Sequence, residues 1–200
     1  GRVAPRWSPM TPEQVKEKLL KTPSGRFELR SSALEKIADF VNDKLGVPLD
    51  LVGFAHWLPP RYSGEGDLFL VTPKTAMHAE GRSANLPHAV SLYQPVSNGR
   101  NEIFLEMHPK PASERGIGNG DLVRIVSPLG AITAHVHITP AARPDTVVLP
   151  FGFGHWAQGR WTKGRGANSA EIIPNVSDPI SGLTSNYSTL VRVEKATAAS

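Results

Sequence analysis

Apolar residues along this chain follow two different spacings: helical intervals before Gly46, and alternation after Glu102. Thr11-Pro12-Glu13 joins a capping residue, a Pro at the first helical position and an acidic first turn. It predicts a helix with Val15, Leu19 and Leu20 as its stripe and Lys16, Glu17 and Lys18 outside it. Ser32–Leu45 sets Leu34, Ile37, Phe40 and Val41 on one face and predicts a second helix, closed by Gly46-Val47-Pro48. Between them, Thr22–Gly25 predicts a turn, and Arg26–Arg30 alternates as a short strand. Leu68–Val71 is apolar without interruption, the pattern of a strand buried on both faces. Further strands are predicted over Ile103–Met107, Leu122–Ser127, Ala131–Ile138, Asp145–Leu149 and Leu190–Val193, with a short helix from Ala112 and a tight turn over Gly118–Asp121.

Composition agrees with this. Gly and Pro number 18 each in 200 residues, which favours many short strands and ordered loops over a helical bundle. The net charge is +4, with basic residues spread along the chain. A clustered basic face for nucleic acid is therefore not expected, while a local site for phosphates is compatible. The chain has no Cys, so it offers no disulfide, thiolate zinc site, iron–sulfur cluster ligand or cysteine nucleophile. No apolar run approaches the ~20 residues of a membrane-spanning helix. The N-terminus lacks an initiator Met and a signal pattern, and reads as part of something longer.

Two stretches are candidates for chemistry. Thr72–Ala89 is rich in Lys, Arg, His, Thr and Asn and directly follows an apolar strand, a position where ligand groups often sit. Pro150–Asn168 is rich in Gly and aromatic residues. No P-loop, dinucleotide fingerprint or nucleophile elbow occurs. Gly116–Gly120 is Gly-rich but opens a strand, so it reads as a turn. His135 and His137 share a strand face but have no evident third partner for a metal.

Several segments, in order, resemble the C-terminal domain of the molybdopterin oxidoreductases, the dimethyl sulfoxide reductase superfamily. They are Thr22–Leu29, Leu70–Lys74, His108–Ala112 with Arg115–Asp121, Asp145–Gly152, Gly166–Asn168 and Ser177–Gly182. Phe151–Trp156 is similar to a loop of the branch that reduces polysulfide, thiosulfate, tetrathionate and arsenate. The resemblance implies a mainly β fold with helical decoration, a six-stranded double-psi β-barrel, over residues 67–195. Residues 1–66 would then be an extension linking to an upstream catalytic region, and 196–200 a tail.

The resemblance also implies a bis(molybdopterin guanine dinucleotide) cofactor with Mo or W, shared with other domains, and oxygen-atom or sulfur transfer chemistry that this chain does not perform alone. The implied partners are those upstream domains and, beyond them, iron–sulfur electron-transfer and membrane-anchor subunits in a periplasmic or membrane-associated complex. Pyrophosphate calls for cations and N–H or O–H donors, which Thr72, Lys74, Thr75, Arg82 and Ser83 supply. Guanine and pterin edges call for paired donors and acceptors, which Asn168 and, later in the chain, Asn186-Tyr187 supply. His78, His108 and His155 are candidate donors, and Trp156 a candidate stacking partner. Pro73, His108 and Pro111 depart from the family pattern. They keep open an alternative: a cofactor-free structural module of the same fold in a respiratory membrane complex.

Overall fold

Strands with alternating apolar residues bury one face, and a sheet of them that curls until its edges meet leaves no edge exposed. In the computed structural model, which describes residues 9–57, 62–76, 78–90, 103–157, 159–184 and 187–196 (backbone only for 89 and 90), this is the outcome. The strands are β1 (Leu68–Val71), β2 (Phe104–Met107), β3 (Leu122–Ser127), β4 (Gly130–Ile138), β5 (Thr146–Val148) and β6 (Leu190–Lys195). They close into a barrel in the order β1-β5-β2-β4-β3-β6. β1 with β5 and β2 with β4 are parallel, and the remaining pairings are antiparallel. The chain is thus a mainly β, six-stranded closed barrel with short helices, as expected.

The inward residues make the core. Leu70, Leu105, Met107, Ile125, Val136 and Val191 are essentially inaccessible to water. Burial of each such side chain contributes about 1.5–3 kcal/mol. β1 differs from its expected two-sided burial. Leu68 and Leu70 point inward, while Phe69 and Val71 are half-buried on the outer face, where the Tyr62 ring covers Phe69 at 5.0 Å. A barrel strand has only one interior side, so the second apolar set needs an external cover.

The Gly118–Asp121 turn ties three strands together. Asp121 Oδ2 accepts from the Gly118 N–H and pairs with Lys195 Nζ, both at 2.8 Å, and Asn119 Oδ1 accepts from the Ile138 N–H at 2.7 Å. The Lys195 ammonium, with the Gly118 amide, holds the Asp121 carboxyl below its ordinary value.

The chain divides into two compact units, Gly1–Pro59 and Pro60–Ser200. The first contains α1 (Pro12–Lys18), α2 (Ser32–Glu35) and α3 (Ala38–Leu45). The α1 start is a full capping box: Thr11 Oγ1 accepts from the Gln14 N–H, and Gln14 Oε1 accepts from the Thr11 N–H. No residue of α1 is buried. Two expectations fail here. The helix predicted over 32–45 breaks at Ile37 (φ −120°, ψ 27°), whose N–H turns back to the Leu34 carbonyl; a β-branched residue gives up helical geometry at low cost. The strand predicted over 26–30 does not form. Among the described residues only Arg30 finds a strand partner, bridging to Phe54, and Phe27 and Leu29 remain 78% exposed. An alternating sequence makes a strand only where another strand offers its backbone groups.

Residues 63–66 lie on β6, with the Ser63 N–H donating to Ser188 O at 2.9 Å and the Leu190 N–H to Ser63 O at 2.7 Å. A Cβ on Gly66 would stand 2.1 Å from the Val191 carbonyl carbon. Gly66→Ala should therefore destabilise the barrel by about 3 kcal/mol, read from the midpoint of chemical unfolding. A second expectation concerns Asp145, just before β5. Arg143 grips its carboxylate with two hydrogen bonds of 3.0 and 2.9 Å, the Thr146 hydroxyl adds a third, and the carboxyl is held down to about 2. A depressed carboxylate stabilises above its unfolded value of about 3.9, and that contribution is lost as pH falls through about 2. Carboxyl-carbon NMR titration should show this, and Arg143→Ala should return Asp145 toward the ordinary range.

Candidate functional site

Because β1 and β5 are parallel, the segments that follow them leave the same end of the barrel. The ladder continues past the strands: the Leu149 N–H donates to Val71 O at 2.9 Å and the Phe151 N–H to Pro73 O at 3.0 Å. Pro73 takes part through its carbonyl, so its missing N–H costs this ladder nothing. The two stretches rich in candidate chemistry, one from Thr72 and one from Pro150, are thereby launched side by side.

They meet at glycines. Gly152 has φ 93°, and a Cβ there would lie 2.7 Å from Gly81 Cα and 2.7 Å from His78 Nε2. The second loop folds back on itself, with His155 bridging to Arg165 and the Gly164 N–H donating to His155 O at 2.8 Å. Its return leg passes against Gly154 (φ 76°), where a Cβ would stand 2.1 Å from Asn168 N. Asn85 Oδ1 accepts from the Trp161 N–H at 3.1 Å and ties the first loop to this leg.

His78 is 3% exposed and stacks on Phe153 at 4.5 Å. Its Nε2 lies 2.9 Å from Gly152 O and its Nδ1 3.0 Å from Ser83 Oγ, which also accepts from the Ala79 N–H at 3.1 Å. Burial holds the imidazole below its ordinary value, against the bond to Gly152 and aided by nearby His155. His155 Nε2 reaches the same Gly152 carbonyl at 3.1 Å, which leaves Nδ1 for other partners.

Around this junction lies a cavity of about 350 Å3, lined by Glu80, Arg82, Phe151, His155 and Asn168 with the touching glycines. A second cavity, of about 410 Å3, shares His155 and Asn168 as a wall and adds Trp156, Arg165, Thr133 and Glu171. Asn168 caps a single 3-10 turn (Ser169–Glu171), its Oδ1 accepting from the Ala170 N–H at 3.1 Å. The amide nitrogen, with two donors, makes no hydrogen bond among the described residues. Lys74 and Glu80 form an exposed pair that raises the Lys74 ammonium and lowers the Glu80 carboxyl. Glu80 itself has φ 50°, uncommon for a residue with a side chain. Arg82 makes no ion pair among the described residues. The donors offered to the first cavity are therefore a guanidinium, an amide and an imidazole, beside an aromatic ring.

Of the residues marked by sequence, Arg82, His155 and Asn168 share the first cavity, and Trp156, 72% exposed, lines the second. Lys74 reaches its edge through Glu80. His78 and Ser83 are buried beneath it, and Thr72 is buried beyond the end of β1. The Thr75 hydroxyl is buried with no partner among the described residues. Tyr187 is 57% exposed, close enough to Lys74 to act on it electrostatically, and Asn186 lies outside the described residues. His108 stands apart. It caps α5 (Pro109–Glu114), the helix that follows the short α4 (Pro87–Val90), its Nδ1 accepting from the Lys110 N–H at 3.1 Å, the part a capping Asn would play. Among the described residues no three His, Asp or Glu could hold a metal ion, and His135 Nδ1 instead donates to Gly120 O at 3.0 Å.

The model of the molydopterin dinucleotide binding domain matches residues 70–190. The chain belongs to that family. Among relatives of this dinucleotide-binding domain, the molybdopterin-containing subunit of the arsenate respiratory reductase of Shewanella sp. (strain ANA-3) is 32% identical, over 88% of this chain and 23% of that protein. The molybdopterin-containing subunit of the thiosulfate reductase of Salmonella typhimurium is 29% identical, over 81% of this chain and 19% of that protein. Both lie in the branch suggested by the Phe151–Trp156 loop. Acetylene hydratase from Pelobacter acetylenicus shares the fold, with TM-score 0.55 and 20% identity over 88% of this chain and 24% of that one. The domain thus spans about a quarter or less of the proteins it matches.

Sequence reasoning overlooked Glu80, Gly81 and Gly152 as site formers. Their signal was present as turn-forming glycines, but which glycines touch is a long-range fact. Gly154→Ala should drive the Asn168 leg away from the Phe151–Trp156 loop while sparing the barrel. Amide exchange should speed up by about tenfold at Gly164 and Ala170 and remain unchanged in β3 and β4.

Proposed function

We propose that the cavity beside Arg82, His155 and Asn168 receives the dinucleotide end of a bis(molybdopterin guanine dinucleotide) cofactor carrying molybdenum or tungsten. The observation that carries the reading is the convergence of those three donors where the parallel β1–β5 pair leaves the barrel. The local chemistry suits such a group. Backbone glycines permit close approach, the Thr75 hydroxyl is buried and unpartnered among the described residues, and the donors match phosphate oxygens and ring edges.

In this reading Arg82 binds phosphate oxygens and the Asn168 amide donates to a guanine or pterin edge. His155 donates or accepts through Nδ1, and Trp156 offers its face to a ring in the neighbouring cavity. Lys74, with Thr72 and Thr75, extends the anion-binding strip, and Tyr187 borders it. Glu80 keeps Lys74 neutralised until a phosphate competes for it. His108, whose ring nitrogen caps α5, is left out. When bound, the cofactor supplies two-electron oxygen-atom or sulfur transfer. The domain's own part is to bind, orient and shield the dinucleotide.

The same proposal extends to the longer protein: a catalytic subunit of a respiratory reductase, working with iron–sulfur and membrane-anchor subunits in a periplasmic or membrane-associated complex. Its similarity to the molybdopterin-containing subunits of an arsenate respiratory reductase and a thiosulfate reductase supports the first part, a reductase catalytic subunit. Metal and guanine analysis of the full-length protein tests it. Stoichiometric guanine with Mo or W is expected, and Asn168→Leu or Arg82→Ala should lower retained guanine by about tenfold. Full-length protein carrying neither metal nor guanine would overturn the reading in favour of a cofactor-free structural module.

A further inference from the structure

We infer that His78 is a positioning residue: a neutral imidazole that latches the Thr75–Ser83 loop to the Phe151–His155 loop and so sets the width of the dinucleotide cavity. The inference rests on the cavity being that site, but the latch has its own geometry. Gly152 O can only accept, so His78 Nε2 must carry the proton at their 2.9 Å contact. Nδ1 is then an acceptor, and Ser83 Oγ, 3.0 Å away, must donate to it. The Ala79 N–H donates to an acceptor site of that oxygen at 3.1 Å. The relay Ala79 N–H to Ser83 O–H to His78 to Gly152 C=O thus has one direction and one tautomer.

The ring is held flat by Phe153, with an interplanar angle of 21°. Directly beside it, Gly81 and Gly152 touch backbone to backbone, so a small movement of either loop changes the opening between Arg82 on one and His155 on the other. His78 itself is buried and does not line that opening. The titratable group that acts on it electrostatically is His155 across the junction. Its contribution is therefore spacing and loop order.

The experiment uses the 200-residue chain and guanosine 5′-diphosphate as probe. Imidazole nitrogen NMR should show His78 as the neutral Nε2–H tautomer across the range where exposed histidines titrate. His78→Phe keeps the stack on Phe153 and removes both hydrogen bonds. It should weaken diphosphate binding about tenfold and speed amide exchange at Ala79 and Phe151 by a similar factor, with β3 and β4 unchanged as the folding control. His78→Gln, which restores a donor toward Gly152, should recover most of both effects. Ser83→Ala should leave the fold intact and loosen the same amides. A Nδ1–H tautomer, an ordinary titration, or unaltered exchange in His78→Phe would overturn the latch. If the unaltered chain fails to bind the diphosphate while the exchange effects appear, the latch stands and the assignment of the cavity falls.

Discussion

The site in this chain depends on one pairing, the parallel alignment of β1 with β5 and its continuation beyond the barrel wall. Parallel strands deliver their following loops to the same end, and two further hydrogen bonds, Leu149 to Val71 and Phe151 to Pro73, keep those loops in register after the strands stop. Residues 86 positions apart, Arg82 and Asn168, can then line one cavity. An antiparallel pairing here would send the two loops to opposite ends, and no choice of side chains would restore the site.

Where the loops meet, the contact is made by backbone and by one buried ring. Glycines let the main chains touch, and His78 supplies directed hydrogen bonds where side-chain bulk would not fit. The arrangement separates two tasks that often fall to the same residues. The buried set of His78, Ser83 and Phe153 fixes geometry, whereas the more accessible set of Arg82, His155 and Asn168 offers donors. Charge is handled in the same spirit. Lys74 and Glu80 cancel one another at the rim and leave the guanidinium of Arg82 to set the sign of the cavity.

The barrel was largely legible in the sequence because its strands advertise themselves locally: alternation in Leu122–Ser127 and in most of Ala131–Ile138 survives in the fold. The failures were of partnership. Arg26–Arg30 alternates as well as any barrel strand but has no strand beside it among the described residues, and Leu68–Val71 looked doubly buried because Tyr62, which covers its outer face, is not recognisable as a cover from sequence. The site was legible as two stretches of suitable chemistry. Which members face the cavity was not, because His78 is distinguished from His155 by burial, by its stack on Phe153 and by a hydrogen bond spanning 74 positions. His108 shows the reverse case. Its Nδ1 serves a local duty, the start of α5.

The wall shared by the two cavities has a thermodynamic consequence. His155 and Asn168 each present one side to the 350 Å3 space and another to the 410 Å3 space, and Asn168 is further tethered by the turn it caps. A group on one side that rotates that amide or that ring alters the surface met by a group on the other. The two spaces are therefore linked compartments, and whatever factor occupation of the first applies to affinity at the second must be returned unchanged in the opposite direction.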